Sequence, residues 1–153
     1  TLLSKISKAE PKIANYPFTT IHPILGVTNK FDKEIIVADI PGLIKGAHKG
    51  KGLGIQFLAH IERCKILLHI IDSTEKNFLE NYNIIRNEIL KYSKSLENKI
   101  EIVAISKSDL IKTNKKELSR IVEKKIGKKP LIFSSISGDG IEDLINTLLK
   151  NFK

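Results

Sequence analysis

Asp39-Ile-Pro-Gly42 follows an apolar run, Ile35-Ile-Val-Ala38, and precedes Gly46, Gly50, Gly52 and Gly54. A carboxylate at the end of a buried strand, next to a glycine-rich loop, suits a divalent cation and a phosphate. Asp39 can hold the metal or a water bound to it, and the amide of Gly42 can face a phosphate oxygen because no side chain blocks it. D-x-x-G taken alone also fits a plain flexible loop between a strand and a helix. Thr19 and Thr20 are a second source of hard oxygen. A threonine hydroxyl suits Mg²⁺ and its backbone amide can meet a terminal phosphate, although two polar residues in a solvated loop need no such role. His48, the nearby histidine, reads as an exposed loop residue.

The elements that must position these residues follow from periodicity. Thr1 to Ala9 predicts a helix with Leu2, Leu3 and Ile6 on one face. Glu10 to Pro23 holds three prolines and no helical period, so it reads as an exposed loop. Ile24-Leu-Gly-Val27 and Glu34 to Asp39 read as strands joined by a turn around Asn29 to Lys33, and Lys65 to Asp72 as an apolar strand buried on both faces. Phe78, Tyr82, Ile85, Ile89, Tyr92 and Leu96 mark a long helix, and Ile100 to Ile105 another strand. Asn114 with Glu117 forms a capping box for a helix that buries Leu118, Ile121, Val122 and Ile126 and stops at Gly127. Leu131 to Phe133 is a last short strand. Asp139 then caps a helix with Ile141, Leu144, Ile145, Leu148 and Leu149 on its inner face.

Strands alternating with helices imply an α/β doubly wound, mostly parallel sheet with helices on both faces and ligand loops at the carboxyl ends of the strands. Asp39, Ser106 and the loop from Ser134 fall at such ends, which predicts that they lie beside one another. Asp72 does too, but with no evident phosphate or metal partner it reads as a helix cap.

The chain has 153 residues, enough for one domain with a real core. No apolar run approaches the ~18 residues of a membrane span, so no membrane partner is expected. Cys64 is the only cysteine, which excludes an internal disulfide and fits a reducing compartment. The net charge of +9 is mostly lysine. It fits either attraction to RNA or lysine-rich solvated helix faces, and the lack of a basic cluster interleaved with aromatics favours the second.

The whole string Asp39 to Cys64, DIPGLIKGAHKGKGLGIQFLAHIERC, resembles the second switch of the Obg GTPases, and PKIANYPFTT, SKSD and FSSIS extend the resemblance over essentially the whole chain. It implies a P-loop NTPase-like G domain, 1–153, that binds GTP and GDP and hydrolyses GTP with Mg²⁺ as a switch. The implied partner is the large ribosomal subunit or its rRNA, with the protein a cytoplasmic monomer. By the same resemblance Phe18, Thr19, Thr20, Ile21 and His22 form the first switch, with Thr20 ligating magnesium. Asp39, Ile40, Pro41 and Gly42 form the second, with Thr20 and Asp39 as the metal residues and Thr20 and Gly42 as the catalytic ones. Ser106-Lys107-Ser108-Asp109 resembles the guanine-reading N-K-x-D motif. There the Asp109 carboxylate accepts N1–H and N2–H₂ of guanine, a donor pair adenine lacks, and the Lys107 stem lies over the base plane. Ser134-Ser135-Ile136 resembles the motif whose main-chain amides address guanine O6, and Gly138 and Gly140 let that loop turn.

Three departures bear on these expectations. Serine stands at 106 where asparagine is usual, which shortens the reach of that side chain. Ser135 replaces the usual alanine, a small change for a main-chain contact. Leu43 follows Gly42, where Ras-like enzymes carry a water-orienting glutamine; the Obg family is apolar there too. The resemblance also places a G-x-x-x-x-G-K-[ST] loop, its strand and a glycine-rich domain before Thr1, so an N-terminally truncated G domain is expected. The alternatives are a non-hydrolysing module in which guanine nucleotide gates docking to ribosome or RNA, and an inactive truncated product. In the full-length protein, Asp109→Asn is expected to weaken GTP about tenfold or more and to admit xanthosine triphosphate. Unchanged preference in a competition assay shows that Asp109 does not read the base.

Overall fold

The structure, a computed structural model, describes residues 2–7, 10, 12–13, 24–30, 33–39, 61–92 and 94–152. The chain divides into two compact units, one of Leu2–Lys65 with Ile84–Lys99 and one of Ile66–Asn83 with Ile100–Lys153.

In the first unit a short helix α1 (Leu2–Ile6) buries Leu3 and Ile6. Strands β1 (Lys12–Ile13), β2 (Ile24–Lys30) and β3 (Lys33–Asp39) form an antiparallel sheet in the order β1-β2-β3. Two expectations are corrected here. Glu10 to Pro23 is not loop throughout, because Lys12 and Ile13 pair with Leu25 and Ile24. The two long strands also run further into the turn, with Lys30 paired to Lys33, since a two-residue connection suffices between antiparallel strands. Beyond β1 the Val27 amide finds the Ser7 hydroxyl at 3.1 Å, so α1 takes over where backbone pairing ends.

Residues 61–63 form a helical turn with Ile61 buried. Lys99 Nζ donates to the Glu62 and Cys64 carbonyl oxygens at 2.8 and 2.6 Å, satisfying the end of that turn.

The second unit is built on a parallel sheet β4-β5-β6: β4 (Ile66–Asp72), β5 (Ile100–Ser106) and β6 (Leu131–Ile132). Helix α2 (Phe78–Tyr92) starts in this unit, and Tyr82 packs with Ile71 and Val103. The long helix expected through Leu96 ends at Tyr92, and Leu96 is buried instead by a 3₁₀ turn, Lys94–Asn98. Helices α3 (Lys115–Ile126) and α4 (Ile141–Asn151) complete the unit. Val103, Val122, Phe133 and Leu144 are all at most 2% exposed and form its core residues, each worth about 1.5–3 kcal/mol of apolar burial. The α/β architecture with strands and helices in alternation is thus observed, but the pairing is mixed and not mostly parallel: among the described residues β1–β3 pair antiparallel and β4–β6 parallel.

At the amino end of β5, the buried Glu101 carboxylate gathers Tyr82 Oη at 3.1 Å, Lys128 Nζ at 2.5 Å and His69 Nδ1 at 3.2 Å. Such a carboxylate is tolerated inside because it is paired and hydrogen-bonded on both oxygens. β4 is not buried on both faces: Ile70 is 42% exposed, because β4 is the edge of this sheet among the described residues. Ile121, expected on the inner face of α3, is 46% exposed, since the buried row runs through Val122.

Asn114 caps α3, its side chain accepting from the Lys116 amide at 2.9 Å, and Gly127 stops it in the left-handed region at φ 76°. The cap of α4 is not Asp139 but Gly140, also left-handed at φ 72°. A Cβ on Gly140 would come within 2.1 Å of the Ile132 carbonyl oxygen, whereas one on Gly127 would meet nothing within 4 Å. Gly127→Ala is therefore expected to cost about 1–2 kcal/mol from backbone strain alone. Gly140→Ala adds a clash with main chain and should cost about 3 kcal/mol or more. Urea unfolding of both variants checks this, and equal losses would rule out the close approach of Gly140 to β6.

Candidate guanine-nucleotide site

Parallel pairing sets the site's frame, because register in β4-β5 places Asp72 opposite Ser106. From there the β5–β6 pairing continues past the strand ends. The Phe133 amide donates to the Ile105 carbonyl oxygen at 2.9 Å, and the Ser108 amide to the Phe133 carbonyl oxygen at 3.0 Å. This places the 106–109 loop against the loop that starts at Ser134.

Ser134 is fully buried and joins the two loops through its side chain. Its hydroxyl donates to Asp109 Oδ1 at 2.5 Å and accepts from the Ile136 and Ser137 amides at 3.2 and 3.1 Å. Its own amide donates to the Asp139 carbonyl oxygen at 2.8 Å. Among the described residues the Ser135 amide has no acceptor. Asp109 is exposed, so its carboxylate is oriented by Ser134 while still open to solvent.

Ser108, 3% exposed, donates from its hydroxyl to Asp139 Oδ2 at 3.4 Å, and Lys115 Nζ reaches the same oxygen at 2.6 Å. Asp139 thus bridges the two loops instead of capping α4; the sequence signal is the glycine after it, which is the better cap in a left-handed position. Asp72 is likewise not a helix cap. Its Oδ1 accepts from the Thr74 amide and hydroxyl at 2.9 and 2.7 Å, closing a tight turn well before α2, and Oδ2 pairs with Lys107 Nζ at 2.6 Å. Ser106 Oγ donates to the Ile71 carbonyl oxygen at 3.1 Å.

The structure therefore brings together Ser106, Lys107, Ser108, Asp109, Ser134, Ser135 and Ile136. Asp39 closes β3 in the other unit, exposed and paired across the ladder with Ile24. Phe18 to His22, Ile40 to Gly42, Leu43, His48 and the later glycines, with Phe57 and Leu58, lie outside the described residues.

The profile of a family described as 50S ribosome-binding GTPase matches residues 1–107, more than half of the chain. The chain belongs to this family. Its fold is the α/β G-domain fold, shared with the G domain of the T. maritima FeoB iron transporter at a TM-score of 0.72 and 20% identity, over 99% of this chain and 89% of that one. An Aquifex aeolicus Era variant bound to GDP·AlF4⁻ matches at 0.66 and 26% identity, over 99% of this chain and 52% of that one. Era with MgGDPNP and nucleotides 1506–1542 of 16S ribosomal RNA matches at 0.64 and 26%, over 98% and 51%. The chain thus spans about half of the Era chains and 58% of the FeoB cytosolic domain.

GTPases of this fold use Mg²⁺, and the residues fit it in kind. Among the described residues no group of three or more His, Cys, Asp or Glu could hold a metal alone. Mg²⁺ is commonly held by one or two protein oxygens with nucleotide phosphates and water, and the exposed Asp39 carboxylate is a hard donor of that type. No helix among the described residues is long and apolar enough to cross a membrane.

The ion pairs leave a titration signature. Burial pushes the Asp72 carboxyl up, but bonds from Lys107 and Thr74 outweigh it and hold it below the usual carboxylate range. Lys115 holds Asp139 low in the same direction, and the bond to Asp72 raises Lys107. Depressed carboxylates contribute stability that is complete above their unfolded value, near about 4, and lost as pH falls through the folded values. The raised lysine contributes below its ordinary value and loses that share only in strong alkali. Both pairs are partly exposed and screened by solvent, so Asp72→Asn/Asp139→Asn is expected to flatten the fall of the urea midpoint below about pH 4 only slightly. Identical slopes in wild type and variant would mean that solvent screening leaves neither pair a measurable share of the stability.

Proposed function

We propose that residues 1–153 act as one Obg-type G domain that binds GTP and GDP with Mg²⁺, hydrolyses GTP, and switches docking to the large ribosomal subunit, as a monomer. The observation that carries the reading is Asp109 oriented by the buried hydroxyl of Ser134 at 2.5 Å, on the loop next to the Ser135 amide. Guanine presents N1–H and N2–H₂ beside its O6. A fixed carboxylate and an adjacent main-chain N–H match that edge, and an adenine edge would leave the carboxylate without its donors. Of the three amides assigned to O6, Ser135 suits it best, since Ser134 and Ile136 give theirs to Asp139 and to the Ser134 hydroxyl. Lys107 lies on the same loop, its stem available to cover the ring.

On this reading Thr20 and Asp39 would hold Mg²⁺, and the Gly42 amide would meet the terminal phosphate. The metal, when bound, neutralises the charge on the phosphates. Phe18 to His22 and Leu43 to Gly54 order around that phosphate and are released with it; five glycines from Gly42 to Gly54 make the unbound state rich in entropy. A ribosomal partner is supported by the family description and by Era, solved with a 16S rRNA segment. Assignment to the Obg type rests on the string from Asp39 to Cys64.

Hydrogen exchange on the full-length protein tests the switch. Both stretches should be better protected with a non-hydrolysable GTP analogue than with GDP, and Thr20→Ala should abolish the difference. Equal protection in the two states points to a docking surface. GTP binding without turnover in the same preparation points to the non-hydrolysing module, a reading that Leu43 after Gly42 leaves open.

A further inference from the structure

Ser106 has a shorter reach than the asparagine usual at this position, and its hydroxyl turns to the Ile71 carbonyl oxygen at 3.1 Å. The next residue carries the constraint. Lys107 is the one non-glycine residue of positive φ among the described residues, at φ 59° and ψ 42°. A lysine stays in the left-handed region only where its surroundings hold it. Its carbonyl oxygen accepts from Ser73 Oγ at 3.2 Å and from the Leu110 amide at 2.9 Å. At the far end of the side chain, Nζ pairs with Asp72 Oδ2 at 2.6 Å. The Asp72 carboxylate is itself pinned through Oδ1 by Thr74, so it is a fixed anchor and not a mobile partner.

We propose that Asp72 and Ser73 are positioning residues for guanine binding: together they clamp Lys107 at its backbone and at its ammonium, so that the alkyl stem between is held as the surface on which the base lies. The proposal rests on the guanine reading above. The Lys107 and Asp72 side chains are 48% and 32% exposed, and a pair so close to solvent adds little to stability. Its value is in placement. A lysine stem already fixed has less rotamer freedom left to lose when the base binds. The clamp acts on the plane of the ring, which guanine and hypoxanthine share, whereas Asp109 acts on the edge, where only guanine has N2–H₂.

The test is the affinity of the full-length protein for GDP and IDP in wild type, Asp72→Asn, Lys107→Ala and the double variant. Asp72→Asn keeps an oxygen for Thr74 and loses the charge that holds the lysine. It should weaken both nucleotides by the same factor, about three- to tenfold, with the GDP-to-IDP ratio unchanged. In the Lys107→Ala background it should have no further effect. Ser73→Ala, which removes only the hydroxyl on the Lys107 carbonyl, should weaken both nucleotides about two- to threefold with an unchanged melting curve. An equal loss from Asp72→Asn with or without Lys107, or a changed GDP-to-IDP ratio, overturns the clamp. So does unchanged affinity in both Asp72→Asn and Ser73→Ala. A wild-type protein that binds neither nucleotide overturns the guanine reading and the clamp with it.

Discussion

The Ser134 side chain can donate one hydrogen bond and accept two, and buried away from water it does all three. It donates to Asp109 and accepts from the Ile136 and Ser137 amides. Removing any of these would leave a buried polar group without its partner, a penalty larger than the bond's net worth. The short loop after β6 therefore has little freedom in how it folds. Asp109, 25 residues away in sequence, takes its orientation from that fold. Backbone pairing supplies the rest of the constraint, since Phe133 bonds to both Ile105 and Ser108. Strand ends, loop and carboxylate form one hydrogen-bonded unit, which is the preorganisation that a selective hydrogen-bonding site needs.

Legibility in the sequence followed the range of the interaction. Local rules located most elements: the capping asparagine at 114, the left-handed stop at Gly127, and the inner face of α4 with Leu144, Leu148 and Leu149 buried. The 106–109 and 134–136 loops were legible as neighbours because parallel strands carry their ligand loops at the same end. What local rules missed were partners over 20 residues apart. Asp72 and Asp139 both precede helices, and each fits a helix cap when read alone. Only the register of β4 against β5 brings Lys107 to Asp72, and only the folded pair of loops brings Lys115 to Asp139. A two-residue strand such as β1 is invisible to periodicity, because one alternation of exposed residues is no pattern at all.

The same distinction explains why two departures from the guanine-reading motifs are compatible with the proposed function. A substitution matters least where the working atom is main-chain, as at Ser135, whose side chain is not the group that would meet O6. It matters more at 106, where the usual asparagine works through its side chain. Ser106 satisfies its hydroxyl on Ile71 and leaves the loop's conformation to Lys107, whose strained backbone is held by Leu110 and Ser73. On the proposed reading Asp109 cannot be replaced in this way: its carboxylate is oriented by the fully buried Ser134 hydroxyl, and an acceptor pair for N1–H and N2–H₂ has no main-chain substitute, because a single carbonyl cannot span both donors. The proposed function thus concentrates selectivity in one side chain and spreads affinity over a scaffold of backbone bonds and surface ion pairs. A scaffold of that kind tolerates exchange of its parts so long as the ladder between β5 and β6 persists.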